Sequence, residues 1–320
     1  MPTPSSPARL IAIDWGTTNA RSYLLAAGPR GPVVLDQRTG EGILSVAADA
    51  DNRDALFAAI LESMVGQWLD AAPQLPMIAC GMVGAAQGWR PAPYQSLPTV
   101  LASEGGFVTI QTPRGPLPII AGVKKSRPNA DVIRGEETQL AGLASDLAPG
   151  RTALVVMPGT HTKWAIVRDG VLLDFDTAMT GELYSLLLDQ SMVGRVAVPA
   201  PPGRDWRPAF DWGLQLAADQ RAIAFTAFVI RSSVLDEQLP ADQVADALSG
   251  LLIGSEISEQ LDRIEPDMQP VLLVGGAGLV ERYQHAFAMS GVESTPADPD
   301  ATIRGLWRCA IGAGLIEEEK

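Results

Sequence analysis

The chain has 320 residues, of which 47% are hydrophobic and 19% charged, and it carries a net charge of −13. That length supports a sizeable core and divides most naturally into two domains. The acid excess argues against a nucleic-acid partner, which needs a basic footprint, and no apolar run approaches the roughly 18 residues of a membrane-spanning helix.

Residues 1–9 are rich in Pro and Ser without an apolar stretch, which predicts a short loose tail and no signal peptide. An apolar run, Leu10 to Ile13, leads into Asp14, Trp15, Gly16, Thr17, Thr18 and Asn19, and Tyr23 to Leu25 lead out. Short apolar runs bounded by turn residues read as strands, so residues 9–25 form a hairpin with its tip at 14–19. Successive backbone N–H groups at such a tip make a nest for an anion, with the threonine hydroxyls as further donors. Asp14 would repel a phosphate, so its sensible role is to hold a divalent cation through water. A third strand is expected over 33–37, an amphipathic helix over 51–71 and a buried strand over 76–80. A glycine-punctuated segment follows, with Gly81, Met82, Val83, Gly84, Gly88, Trp89, Arg90 and Tyr94. Residues 107–112 and 117–123 flank an Arg114-Gly115 turn and read as another hairpin. Arg134, Gly135, Glu136 and Glu137 open a helix running to about residue 147, which residues 148–150 break.

The opening is then repeated. Residues 153–157 form an apolar strand, Pro158, Gly159, Thr160, His161 and Thr162 a turn, and Lys163 begins the return strand. A shift of 143 positions superimposes Gly16 on Gly159 and Thr17 on Thr160. Two glycine–threonine hairpins, each opening half of the chain, predict two related domains, 1–148 and 149–320, that grip one phosphate chain between them. The copies differ at Asp14, which corresponds to Met157, so only the first keeps a carboxylate for a metal. The second half is otherwise helical, with helices over 181–193, 210–235 and 241–264 and a Pro-rich loop over 198–208. Strand 270–274 ends in Gly275, Gly276, Ala277 and Gly278 before a helix over 279–289, which suits close backbone approach to a nucleotide. Glu281 stands where the third glycine of a dinucleotide fingerprint would be, and no P-loop sequence is present.

Phosphoryl transfer asks a protein for positioning, charge neutralisation and a group that orients the nucleophile. The hairpins and a cation supply the first two. The third calls for a carboxylate that accepts a hydroxyl proton, and Glu136, at a helix start just before the break between domains, is the candidate, with Glu137 the alternative. His161 and Lys163, in and beside the second turn, are candidate neutralisers of phosphate charge. Trp89 and Tyr94 are candidate stacking residues. The two cysteines, Cys80 and Cys309, give neither a disulfide framework nor metal-site spacing, and a cytoplasmic location is the expectation.

The motifs Asp14-Trp15-Gly16-Thr17-Thr18-Asn19, Gly81-Met82-Val83-Gly84, Gly88-Trp89, Ala92-Pro93-Tyr94 and Arg134-Gly135-Glu136-Glu137-Thr138-Gln139 together resemble the 2-dehydro-3-deoxygalactonokinase family. So do Met157-Pro158-Gly159-Thr160-His161, Lys163-Trp164, Met179-Thr180-Gly181-Glu182-Leu183 and Leu248-Ser249-Gly250-Leu251-Leu252-Ile253-Gly254. The resemblance spans nearly the whole chain; Ala85 and Thr162 depart from the family pattern. It implies an α/β protein of two actin-like (ribonuclease H-like) domains with an ATP cleft between them. It also implies transfer of phosphate from magnesium-ATP to the 6-hydroxyl of 2-dehydro-3-deoxy-D-galactonate. By analogy, the first hairpin lies on the β- and γ-phosphates, the second on their other side, and Gly275, Gly276 and Gly278 near the adenosine, with Glu136 as base. The substrate is a carboxylate, and Arg21, Arg90 and Arg134 are its candidate partners within the motifs, with Arg231 more remote; Gly81, Met82, Trp89 and Tyr94 complete the expected sugar-acid site. Bidentate guanidinium binding suits a carboxylate. A kinase of the same fold with another acceptor, or an actin-like nucleotide switch, is the alternative, and a homodimer is compatible with either.

Overall fold

The computed structural model describes residues 7–46, 52–144, 147–219 and 221–318. Positions 1–6 of the expected tail, and positions 51, 145, 146 and 220 of expected helices, lie outside them. In chain order the strands are β1 (Ala8–Trp15), β2 (Asn19–Gly28), β3 (Gly31–Glu41), β4 (Met77–Gly81), β5 (Tyr94–Ser96), β6 (Thr99–Val100), β7 (Phe107–Thr112), β8 (Gly115–Ile120), β9 (Gly122–Lys125), β10 (Asp131–Ile133), β11 (Thr152–Met157), β12 (Thr162–Arg168), β13 (Val171–Ala178), β14 (Val271–Leu273) and β15 (Ser294–Pro296). The α-helices are α1 (Arg53–Ala71), α2 (Glu136–Leu143), α3 (Thr180–Gln190), α4 (Arg207–Ala218), α5 (Ile223–Leu235), α6 (Val244–Gln260), α7 (Ala277–Met289) and α8 (Ala301–Gly312).

Two six-stranded sheets share one plan. The first has the order β3-β2-β1-β4-β8-β7 and the second β15-β14-β11-β12-β13-β6. In the first, β2 pairs antiparallel with β1 and β3, while β1, β4 and β8 are mutually parallel neighbours. In the second, β11, β14 and β15 are parallel neighbours, and β11, β12 and β13 are joined by connections too short for a crossover, so they meander. A three-strand meander followed by two strands parallel to its first member therefore occurs twice. This is the duplicated α/β arrangement that the repeated hairpin predicts.

Alternation along β1 decides which residues reach which side. Ile11, Ile13 and Trp15 face a core containing Phe57, Leu61, Met64, Val65 and Trp68 of α1. Leu10 and Ala12 face the other way, with Ile78 and Cys80 of β4, Ala141 of α2 and Leu306, Trp307 and Ala310 of α8. Asp14, next in that second series, shares the α2 side of the sheet.

Two helix pairs meet backbone to backbone. A Cβ on Gly305 of α8 would lie 1.8 Å from the Thr138 carbonyl oxygen of α2, and one on Gly142 2.0 Å from that of Ala301. A Cβ on Gly213 of α4 would lie 2.1 Å from the Ala247 oxygen of α6, and one on Gly250 2.0 Å from that of Phe210. Any side chain at these points would force the helices apart.

The chain forms two compact units, one of Met1–Arg151, Ile166–Phe175 and Asp298–Lys320, the other of Thr152–Ala165 and Asp176–Ala297. The expected boundary at 148/149 falls close to one edge of these units. The C-terminal segment, however, belongs with the first unit, because α8 packs on α2 through Gly305 and Gly142. Helix α8 carries no motif and was not expected. The single helix expected over 210–235 is two, α4 and α5, with Ala222 extended at φ −55° and ψ 138° between them.

Gly305→Ala is expected to destabilise the protein by about 1–3 kcal/mol, whereas Gly105→Ala, whose Cβ would meet nothing within 4 Å, is expected to be neutral. Thermal midpoints of the two variants check this.

Candidate active site

In the first unit the tip of the β1–β2 hairpin is held from behind. Gly42, Ile43 and Leu44 donate their N–H groups to the carbonyls of Thr18, Gly16 and Thr17 at 2.9, 3.2 and 3.1 Å. A Cβ on Gly42 would lie 2.4 Å from the Thr17 oxygen, so the support depends on glycine there. Thr17, Thr18 and Asn19 remain exposed, as an anion nest requires.

Asp14 sits beside the tip. Its Oδ1 accepts from the Cys80 thiol at 3.8 Å, and Arg21 is its direct partner across the hairpin. Burial raises its carboxyl above the usual carboxylate range, against the pull of Arg21 and Cys80. Gly81 and Gly135 close the space next to it. Both have positive φ, +87° and +108°, and a Cβ on Gly81 would lie 2.8 Å from the Trp15 oxygen. A Cβ on Gly135 would lie 3.5 Å from the Gly81 Cα, so the G-M-V-G and R-G-E-E motifs meet through two residues that L side chains would strain.

The paired glutamates at the start of α2 differ. Glu136 is half-buried, and its Oε2 accepts from the Arg134 N–H at 2.9 Å. Glu137 is buried; its Oε2 accepts from the Gly135 N–H at 2.7 Å and its Oε1 from the Thr138 hydroxyl at 3.1 Å. Burial first, then the Glu136 charge, push its carboxyl up to about 7. Burial together with Asp14 and Glu137 holds the Cys80 thiol well above its ordinary range, and burial with Glu137 raises Cys309 to about 12. Half-buried Asp14 and buried Cys80, Glu137 and Cys309 are thus neighbours. Among the described residues no group of three or more His, Cys, Asp or Glu could hold a metal ion, so a cation at Asp14 would need water and phosphate for its other ligands.

In the second unit the turn after β11 exposes Thr160 and His161 and half-buries Gly159. It is tied to α3: the Glu182 N–H donates to the Thr160 carbonyl at 2.9 Å, and His161 Nε2 lies 2.5 Å from Glu182 Oε2. A Cβ on Gly181 would lie 2.3 Å from the Gly159 oxygen. Gly276 caps α7, and Gly278 joins Gly159, Gly181, Tyr184, Ser249 and Arg282 around a cavity of about 250 Å³. Behind the turn, Glu256 of α6 is a buried hub. It accepts from Trp164 Nε1 at 2.6 Å, from the Tyr283 hydroxyl at 2.7 Å and from the Thr180 hydroxyl, and burial raises its carboxyl despite these donors.

Several expected site residues are used elsewhere. Trp89 is buried on the α1 side of the first sheet, stacked on Phe57 at 5.5 Å with its Nε1 on Asp54 at 3.1 Å. It is a core residue, on the side of the sheet away from Asp14. Arg90 pairs with the same Asp54 at 3.0 Å, and Met82 packs against that core. Arg134 lies 4.3 Å from the exposed Tyr94 ring and donates to the Ala92 carbonyl at 2.9 Å; its Nε and Nη1 are shut from solvent. Arg231 donates to the Met192 carbonyl at 2.7 Å. Thr162 is turned inward, its hydroxyl 3.0 Å from that of Tyr283, and Lys163 is buried rather than displayed at the turn. Gly275 is exposed, a Cβ there lying 3.0 Å from the Pro158 oxygen. Glu256, Tyr283 and Arg282 were not anticipated. Their sequence neighbourhoods are ordinary amphipathic helices, and only tertiary packing brings them to the turn.

The motifs thus build two turn-centred sites, and comparison with known proteins gives them a family. The 2-keto-3-deoxy-galactonokinase family model matches residues 14–309. The chain belongs to that family. It is 38% identical over 299 residues to the 2-dehydro-3-deoxygalactonokinase of Escherichia coli (strain K12), covering 93% of this chain and 95% of that one. It is 33% identical over 296 residues to DgoK1 of Rhizobium meliloti (strain 1021), covering 92% and 93%. A crystal structure assigned to the same activity, from Sinorhizobium meliloti, superposes with a TM-score of 0.81 at 33% identity, covering 94% of this chain and 98% of that one.

Two outcomes are expected. Below pH 4.5 Glu137 is protonated whether the chain is folded or unfolded, and between 4.5 and about 7 the folded chain keeps a proton that the unfolded chain releases. Its contribution is therefore lost as pH rises through that window. Glu137→Gln should remove this slope, so that the variant's thermal midpoint gains on the wild type from pH 5 to pH 8. Glu256→Ala, by freeing Thr180, Trp164 and Tyr283, should weaken nucleotide binding at least tenfold with little change in the KM for the acceptor, read by nucleotide titration and steady-state kinetics.

Proposed function

We propose that the protein transfers the γ-phosphate of ATP to the 6-hydroxyl of 2-dehydro-3-deoxy-D-galactonate, giving 2-dehydro-3-deoxy-6-phosphogalactonate. The observation that carries this reading is the family match over residues 14–309, which includes both glycine–threonine turns. Thr17, Thr18 and Asn19 of the first unit, and Gly159 and Thr160 of the second, each offer phosphate oxygens backbone N–H groups and hydroxyls. The cavity beside Gly278 takes the adenosine. Asp14 fits a water-mediated contact to magnesium, since its carboxylate is met within the chain by one weak thiol donor and one facing arginine. Bound there, the ion would neutralise phosphate charge.

Glu136 is the base. Glu137 is sealed among Cys80, Cys309 and Thr138, where no acceptor hydroxyl reaches it, whereas Glu136 is half-exposed on a helix start fixed by the Arg134 N–H. As the acceptor oxygen bonds to the γ-phosphorus and the bond to the β-phosphate oxygen breaks, Glu136 receives the hydroxyl proton and ADP leaves. Arg21 is the partner for the substrate carboxylate, because it is exposed beside the first tip while Arg90 and Arg134 are held by Asp54 and Ala92.

A coupled ADP-release assay with magnesium-ATP tests the reading, comparing 2-dehydro-3-deoxygalactonate, its gluconate epimer, galactose and no acceptor. Turnover with the galactonate is expected; acceptor-independent turnover, or none, would overturn it. Glu136→Gln should lower kcat at least 10²-fold with the KM for ATP little changed. Near-normal turnover would remove the base role from Glu136.

A further inference from the structure

Helix α5 turns one side to its own unit and another, unusually apolar, to solvent. Thr226, Ala227, Ile230 and Ser233 are buried, whereas Phe225, Phe228 and Leu235 are 64%, 57% and 64% exposed. With Ser232 these outward residues follow the spacing 225, 228, 232, 235, alternating steps of three and four. That spacing is the seam of a helix that packs along another helix. Arg231 brings Met192, also 49% exposed, to the edge of the same patch by binding its carbonyl. Two phenyl rings and a leucine on one stripe mark a contact surface rather than a solvated face.

The stripe is self-complementary. Its spacing is symmetric about residue 230, so a second α5 laid antiparallel across a two-fold axis there sets Phe225 against Leu235 and Phe228 against Ser232. Ser232 is small, and its hydroxyl is already bonded to the Phe228 and Val229 carbonyls of its own helix at 3.2 and 3.1 Å, so a ring can cover it without stranding a donor. The charges at the ends match as well. Arg221 lies just before the helix, its guanidinium 5.5 Å from the Phe225 ring, and Asp236 and Glu237 lie just after it. At about 1.5 Å per residue, the helix ends at Ile223 and Leu235 stand roughly 10 Å and 8 Å from the axis, with Arg221 and the acidic pair just beyond them. The parallel arrangement would instead set arginine on arginine and acid on acid.

We propose that α5 is the docking face for a second copy of this chain, with the two helices antiparallel about a two-fold axis near Ile230. The occupant is a second copy because, antiparallel about that axis, the basic end of each helix meets the acidic end of the other.

Sedimentation velocity of the full chain tests this. The wild type is expected to sediment as a dimer and Phe228→Asp as a monomer, with its thermal midpoint and ADP release retained. Arg221→Glu, a surface change that leaves the core untouched, should weaken the dimer at least tenfold. Arg221→Glu combined with Asp236→Arg and Glu237→Arg should restore it by reversing both ends of the contact. A monomeric wild type, a dimer that survives Phe228→Asp, or a triple variant no more associated than Arg221→Glu would each overturn the proposal.

Discussion

A carboxylate taken out of water must be answered by donors or give up its charge, and both turn-centred sites of this protein are organised by that constraint. In the first unit Glu137 is met by the Gly135 N–H and the Thr138 hydroxyl. Those two bonds fix the opening of α2 and so the direction in which Glu136 points. In the second unit Glu256 gathers donors from β12, α3 and α7. It thereby sets the spacing of three elements around the cavity beside Gly278. Both carboxylates are buried, and each holds together the elements next to its turn.

The glycines serve the same end by a different route. At Gly81 and Gly135 the backbone takes angles that side chains resist, and the two motifs that carry Asp14's neighbourhood come within contact of each other. At Gly142, Gly305, Gly213 and Gly250 what matters is the missing Cβ, which lets α2 meet α8 and α4 meet α6 at backbone distance. Glycine thus serves either an unusual backbone angle or a close helix contact. Gly250, in the L-S-G-L-L-I-G motif, belongs to the second kind, which accounts for glycine at that point of α6.

The polar residues around the turns divide similarly. His161 and Glu182 clamp the second turn to α3, and Thr162, one residue further on, faces inward to Tyr283. The exposed part of the turn is thus short, Thr160 and His161 flanked by Gly159, and everything after it is support. Alternation on β12 could have indicated that Thr162 and Lys163 point to opposite sides of a sheet. It could not have shown that both sides are covered.

The sequence by itself determined the elements whose signals are local: the two glycine–threonine hairpins, the strand before the G-G-A-G turn, the acidic start of α2, and the duplication that makes the two sheets share one plan. Those signals are strand runs, turn residues and a repeat, and they survive without knowledge of what packs against them. Tertiary structure decided the rest. Trp89 looked like a stacking residue and is core, because the side that a residue faces depends on the sheet it joins. Burial distinguishes Glu136 from Glu137, which adjacency in sequence cannot do. Helix α8 joined the first unit and Glu256 became a hub because glycine contacts and hydrogen bonds across long stretches of chain leave no periodic trace in the residues that make them.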